Sequence, residues 1–97
     1  MIELGGNIKL DGFNDLDPAK LVVVKKLVGN YVRKMHDAVA EFQELSLRLD
    51  ESADKTSFKL KAVVQFNGHE PIDHEVDNRN LFFGLDEALG TIFKKLK

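Results

Sequence analysis

The chain has 97 residues and a mass of 10.9 kDa, with 43% hydrophobic and 31% charged side chains. That is one domain's worth of chain, large enough for a two-layer core but small for a deep substrate cavity with its own supporting shell, so a large enzyme site is disfavoured. The absence of cysteine excludes disulfides, thiolate nucleophiles, iron–sulfur clusters and cysteine–zinc sites, and the net charge of −2 opposes nucleic-acid binding driven by bulk charge.

Ile2, Leu4, Ile8 and Leu10 hold even positions around Glu3, Asn7 and Lys9. This period of two predicts one strand from Ile2 to Leu10, with a bulge or kink at Gly5-Gly6. Asp17-Pro18 supplies a helix cap and a proline at the first helical position, where a missing N–H costs nothing, so a helix is predicted from Pro18 to Ala38. Leu21, Val24, Leu27, Val28, Tyr31, Met35 and Ala38 recur at three-and-four spacing and form its buried stripe. The β-branched run Val22-Val23-Val24 favours a strand locally, but stripe and length decide for helix. Gly29 in mid-helix costs about 1 kcal/mol relative to alanine, which asks for compensation in packing or recognition.

Leu45, Leu47 and Leu49 alternate with Glu44, Ser46, Arg48 and Asp50, and Phe58, Leu60, Ala62, Val64 and Phe66 alternate with Lys59, Lys61 and Gln65. These are two half-buried strands joined by a polar loop from Glu51 to Ser57. Asn67-Gly68 signals a type I′ hairpin into a fourth strand around Ile72 to Val76. From Asn80, three-and-four spacing returns through Leu81, Leu85, Ala88, Leu89, Ile92 and Leu96, a second helix that runs to the C-terminus. Each strand has one polar face, so both helices cover the same side. The predicted fold is an α+β two-layer sandwich in the order β-α-β-β-β-α, a four-stranded sheet with two helices on one face, forming a single domain over 1–97.

The run Asn80-Leu81-Phe82-Phe83-Gly84-Leu85-Asp86-Glu87-Ala88-Leu89, together with Gly6-Asn7-Ile8 in the first strand and the element order, resembles the ribosome hibernation-promoting factor family, also called ribosome-associated inhibitor A. The resemblance spans nearly the whole chain. It implies a non-enzymatic factor that occupies the decoding region of the small ribosomal subunit through basic residues on its helices and excludes messenger and transfer RNA. Lys26 and Lys94 fall near basic positions of that family. The chain departs from its pattern at Val23 and Thr91, where basic residues are usual, and at Gly29.

Seven cations are the candidate RNA-binding residues: Lys25, Lys26, Arg33 and Lys34 on the first helix, and Lys94, Lys95 and Lys97 on the second. Phosphate backbones need several cations at spacings that track them. Lys25, Gly29 and Arg33 recur every fourth residue and line one exposed face, with a glycine that lets a backbone approach. The competing explanation is that cations near helix C-termini simply meet the dipole there, which suffices for Arg33, Lys34, Lys94, Lys95 and Lys97.

Lys59 and Lys61 on the outer sheet face can lie opposite Glu44, Asp50, Glu75 or Asp77 as cross-strand ion pairs, and Phe58 and Phe66 fall on the inward parity, so no RNA contact is assigned there. His69, Glu70, Asp73, His74, Glu75 and Asp77 are dense in metal-ligand types, but alternation sends His74 to the opposite face from the acids, so no metal site and no cofactor is expected. Ser46, Ser52 and Ser57 lack a nucleophile setting, and Gly5-Gly6 is no phosphate loop. Phe82, Phe83 and Phe93 read as core and core-edge aromatics, an exposed one marking a protein interface instead. The expected partner is therefore the small ribosomal subunit and its rRNA, in the cytoplasm and away from membranes. The alternative is a protein-interaction or homodimerising module of the same fold that binds no RNA.

Overall fold

A computed structural model of the chain describes residues 2–14, 16–51 and 57–96. Seven elements follow one another: β1 (Ile2–Leu4), β2 (Ile8–Asp11), α1 (Pro18–Ala38), β3 (Phe42–Glu51), β4 (Phe58–Phe66), β5 (Ile72–Asn78) and α2 (Leu81–Lys95). The strands form one five-stranded sheet whose spatial order is the chain order. β2 and β3 are parallel and every other neighbouring pair is antiparallel. A parallel pair needs a long crossover, which α1 supplies.

The fifth strand corrects the sequence expectation of four. The segment Ile2 to Leu10 is a hairpin, β1 against β2, with Leu4 opposite Ile8 and Ile2 opposite Leu10. Gly5 and Gly6 both adopt positive φ, 61° and 78°, which reverses the chain where a kinked strand was predicted. The connection from β4 to β5 also differs, since residues 67–71 form a five-residue loop and not a two-residue turn. Of the predicted polar loop before β4, residues 52–56 lie outside the described residues.

α1 has the predicted bounds. The Asp17 carboxylate accepts from the Ala19 N–H at 2.8 Å, and the Asn80 side chain likewise accepts from the N–H groups of Phe82 and Phe83 at the start of α2. Both helices lie on one side of the sheet, α1 over β3 and α2 over β4 and β5, and they touch each other. Leu10, Leu45, Leu47, Leu60, Ala62 and Val64 from the sheet meet Val24, Val28 and Met35 of α1 and Leu85, Ala88, Leu89 and Ile92 of α2 in one core. Each such Leu, Ile or Val contributes roughly 1.5–3 kcal/mol over its exposed state. Phe13, in the connection before α1, is fully buried among them.

The helices run in the same direction. Lys20, in the first turn of α1, borders a shallow depression with Asn80 and Leu81 at the start of α2, while Val39 at the end of α1 borders another with Lys95 and Leu96. Both positive helix ends therefore sit at one end of the helical layer and both negative ends at the other.

Candidate nucleic-acid interface

α1 is the most cationic element of the molecule. Between Pro18 and Ala38 it carries Lys20, Lys25, Lys26, Arg33 and Lys34 against one acid, Asp37. Val24, Val28, Val32 and Met35 turn inward, and all five cations are exposed. At about 100° per residue, Lys25, Gly29 and Arg33 line one row, Lys34 lies on the side of α2, and Lys26 falls between them. Space around Gly29 is open, with no atom within 4 Å of where a Cβ would be, so packing does not account for that glycine.

The α2 cations diverge. Lys94 borders the groove between the helices with Tyr31, Asp86, Glu87 and Thr91, whereas Lys95 borders the depression beside His69 and Glu70 of the β4–β5 loop. Lys97 lies outside the described residues. Lys34 and Lys94 thus flank Tyr31 from the two helices, Lys25 and Arg33 share the outer row of α1, and Lys95 stands apart from both groups.

Tyr31 was placed in the buried stripe by its spacing, and its ring is half-buried, but its hydroxyl has a polar role. It donates to Asp86 Oδ1 at 2.6 Å, and the Lys34 ammonium sits 5.5 Å from the ring centroid. Burial first, and the hydrogen bond and negative charge of Asp86 second, push the tyrosine pKa up to about 12. A Cβ at Gly90 would come within 3.3 Å of the hydroxyl, so the glycine leaves room for this cross-helix contact.

Among the described residues, ion pairing is confined to the sheet. Lys9 meets Glu44 at 2.8 Å, Lys59 meets Glu75 at 3.2 Å and Arg48 meets Asp50 at 3.6 Å. Among the described residues, no salt bridge involves a cation of either helix. The expected cross-strand pairing holds for Lys59, while Lys61 stands opposite Glu75 on one side and opposite Arg48 on the other. Phe66 is buried and Phe58 half-buried, so neither offers the outer sheet face an exposed aromatic. No group of three or more His, Asp and Glu side chains among the described residues is placed to hold a metal ion.

Two cations escaped the sequence reading of the site: Lys20 and Arg79. Lys20 is in the first turn of α1 and Arg79 immediately precedes the α2 cap. Cations there oppose the helix dipole, unlike Lys34, Lys94 and Lys95 near the negative ends. Their position relative to the caps was the available signal. Phe83 is 70% exposed, not at a core edge, whereas Phe82 and Phe93 are partly buried against the core.

No protein-family model matches the sequence, and no curated protein matches it. Solved structures do. A ribosomal subunit interface protein from Coxiella burnetii is 16% identical and superimposes with a TM-score of 0.66, over 93% of this chain and 92% of that one. The Protein Y N-terminal domain from Thermus thermophilus is 11% identical with a TM-score of 0.69, again over 93% of this chain and 92% of that one. At these identities the likeness is one of fold.

Proposed function

We propose that the protein is a non-enzymatic, cytoplasmic factor that associates with the ribosome and binds small-subunit rRNA through its helical layer, blocking RNA ligands by occupying their space. The observation that carries this reading is that Lys25, Lys26 and Arg33 stand exposed on α1 and, among the described residues, have no acid paired to them, although acids outnumber bases in the chain. Unpaired cations on one face are available to phosphates, and each phosphate neutralised adds affinity and salt sensitivity. Lys34 and Lys94 extend the face across the interhelix groove, whereas Lys95 stands apart from it beside the β4–β5 loop. The fold shared with a ribosomal subunit interface protein supports the same partner.

Co-sedimentation with purified small ribosomal subunits over a salt series tests the proposal. Wild-type protein should pellet at low salt and be released as salt rises. The Lys25→Ala, Lys26→Ala, Arg33→Ala triple variant should bind more weakly, its log–log salt slope shallower by roughly 0.7–0.9 per cation removed. Wild-type behaviour of that variant refutes the surface, and failure of the wild type to pellet at low salt refutes the ribosomal role.

The second reading, a homodimerising or protein-interaction module, draws on the exposed Phe83. It requires a mass that rises with concentration and a Phe83→Ala variant that stays monomeric.

A further inference from the structure

Among the described residues the exposed large hydrophobics are Val22, Val23 and Phe83, 52%, 47% and 70% accessible, all on the two helices. Phe83, Asp86 and Gly90 are spaced i, i+3, i+7, and Tyr31 touches the last two, so Phe83 lies on the outer, solvent-facing rim of α2 next to the side that meets α1. Val23, Leu27 and Tyr31 form the answering stripe on α1 at four-residue spacing. Because the helices run in parallel, with Lys20 beside Leu81 and Tyr31 beside Asp86, Phe83 lies level with the part of α1 between Lys20 and Tyr31. That part contains Lys25 and Lys26.

The charge around this patch selects what covers it. Lys20 and Arg79 border one depression at the positive ends of both helices, and neither helix has an acid in its first turn. Asp86 is engaged by Tyr31, and Glu87, one turn beyond Phe83, marks where the cationic stretch ends. A second copy docking through the same patch would set these cations against themselves, since a two-fold contact is self-complementary. An exposed aromatic ring in the first turn of α2, with Lys20 and Arg79 at the same end of the helices and in no salt bridge among the described residues, fits a ligand that carries a flat face and a negative charge on one unit, which is a nucleotide.

We propose that Phe83 is a stacking platform for an unpaired base of the bound RNA, with the adjoining phosphates taken by Lys20, Lys26 and Arg79. The inference rests on the RNA-binding reading above and adds to it a single-stranded recognition element. It assigns the N-terminal end of the helical layer to an unpaired nucleotide, while the outer row of α1 follows duplex or backbone.

The full chain is titrated with purified small ribosomal subunits at several salt concentrations. Phe83→Ala should weaken binding about 5- to 150-fold, the loss of one aromatic–base stack, without changing the salt slope. Phe83→Trp should restore binding and Phe83→Leu should not, while Lys26→Ala should lower the slope. A photo-crosslinking phenylalanine analogue at position 83 should attach to rRNA. Thermal melting serves as the folding control, and an exposed side chain should leave it unmoved. Wild-type affinity of Phe83→Ala or Phe83→Leu, crosslinking to a ribosomal protein, or a dimer that Phe83→Ala abolishes, overturns the stacking role alone. Absence of wild-type binding removes the RNA reading along with it.

Discussion

The Tyr31 hydroxyl hydrogen-bonds Asp86 Oδ1 at 2.6 Å across the gap between α1 and α2, with the Lys34 ammonium beside the tyrosine ring. One contact therefore ties the two helices together, and the ring that makes it also carries a cation on its face.

Alkaline pH should loosen this tie. Tyr31 titrates near 10 when unfolded and is raised to about 12 in the fold. Between those values the unfolded chain loses the proton that the folded one keeps, so the Tyr31 contribution is complete below pH 10 and is lost as pH rises toward 12. Lys9, raised by its hydrogen bond to Glu44 and by the charge of that acid, acts in the same direction above its ordinary 10.5. Urea unfolding of wild type and Tyr31→Phe from pH 8 to 12 separates the two. The variant should be less stable by about 1 kcal/mol at pH 8 and should lose less stability between pH 10 and 12.

Gly12 should tolerate no side chain. Its φ is +82°, and an added Cβ would collide with the Leu49 carbonyl oxygen, a backbone atom that cannot swing away. Gly12→Ala is expected to cost about 2–4 kcal/mol, read as a lower urea midpoint at unchanged slope. A loss under 1 kcal/mol would show that β3 can shift to accommodate the methyl.

Gly29→Ala should do the reverse. The position is helical and open, so alanine is expected to stabilise the fold by about 1 kcal/mol, seen as a higher melting temperature. If RNA backbone packs against this face of α1, the same variant should bind small subunits less well despite its greater stability. A gain in both properties would place the RNA elsewhere.

Substitution on the sheet should leave ribosome binding alone. Lys9 and Lys59 are already paired with Glu44 and Glu75. Lys59→Ala should change stability by no more than about 1 kcal/mol and leave co-sedimentation and its salt slope at wild-type values. A slope reduced as far as in a helix variant would move the interface to the outer sheet face.

Several features were legible in the sequence because local chemistry specifies them. Asp17-Pro18 and Asn80 are caps whose side chains satisfy backbone N–H groups within three residues, and the two helical stripes and the parity of β3, β4 and β5 follow from periodicity. The β1–β2 hairpin was not legible. Cross-strand partners in a hairpin share a face, so Ile2, Leu4, Ile8 and Leu10 point to one side whether the chain continues or reverses. The exposure of Phe83 was open in the sequence, where an aromatic beside a buried stripe reads either as a core edge or as an exposed interface residue, and the packing of α2 on the sheet decides for exposure.

The candidate surface divides along the same line. By itself the sequence determined the composition of α1, five cations with one acid, and the periodicity that turns those cations outward. Only the tertiary structure decided that the helices run parallel, that Lys94 and Lys95 diverge, that Asp86 is claimed by Tyr31, and that Lys20, Arg79 and Phe83 gather at one end. Periodicity is a property of a single element and survives in isolation, whereas which side chains become neighbours depends on how two elements are laid against a common sheet.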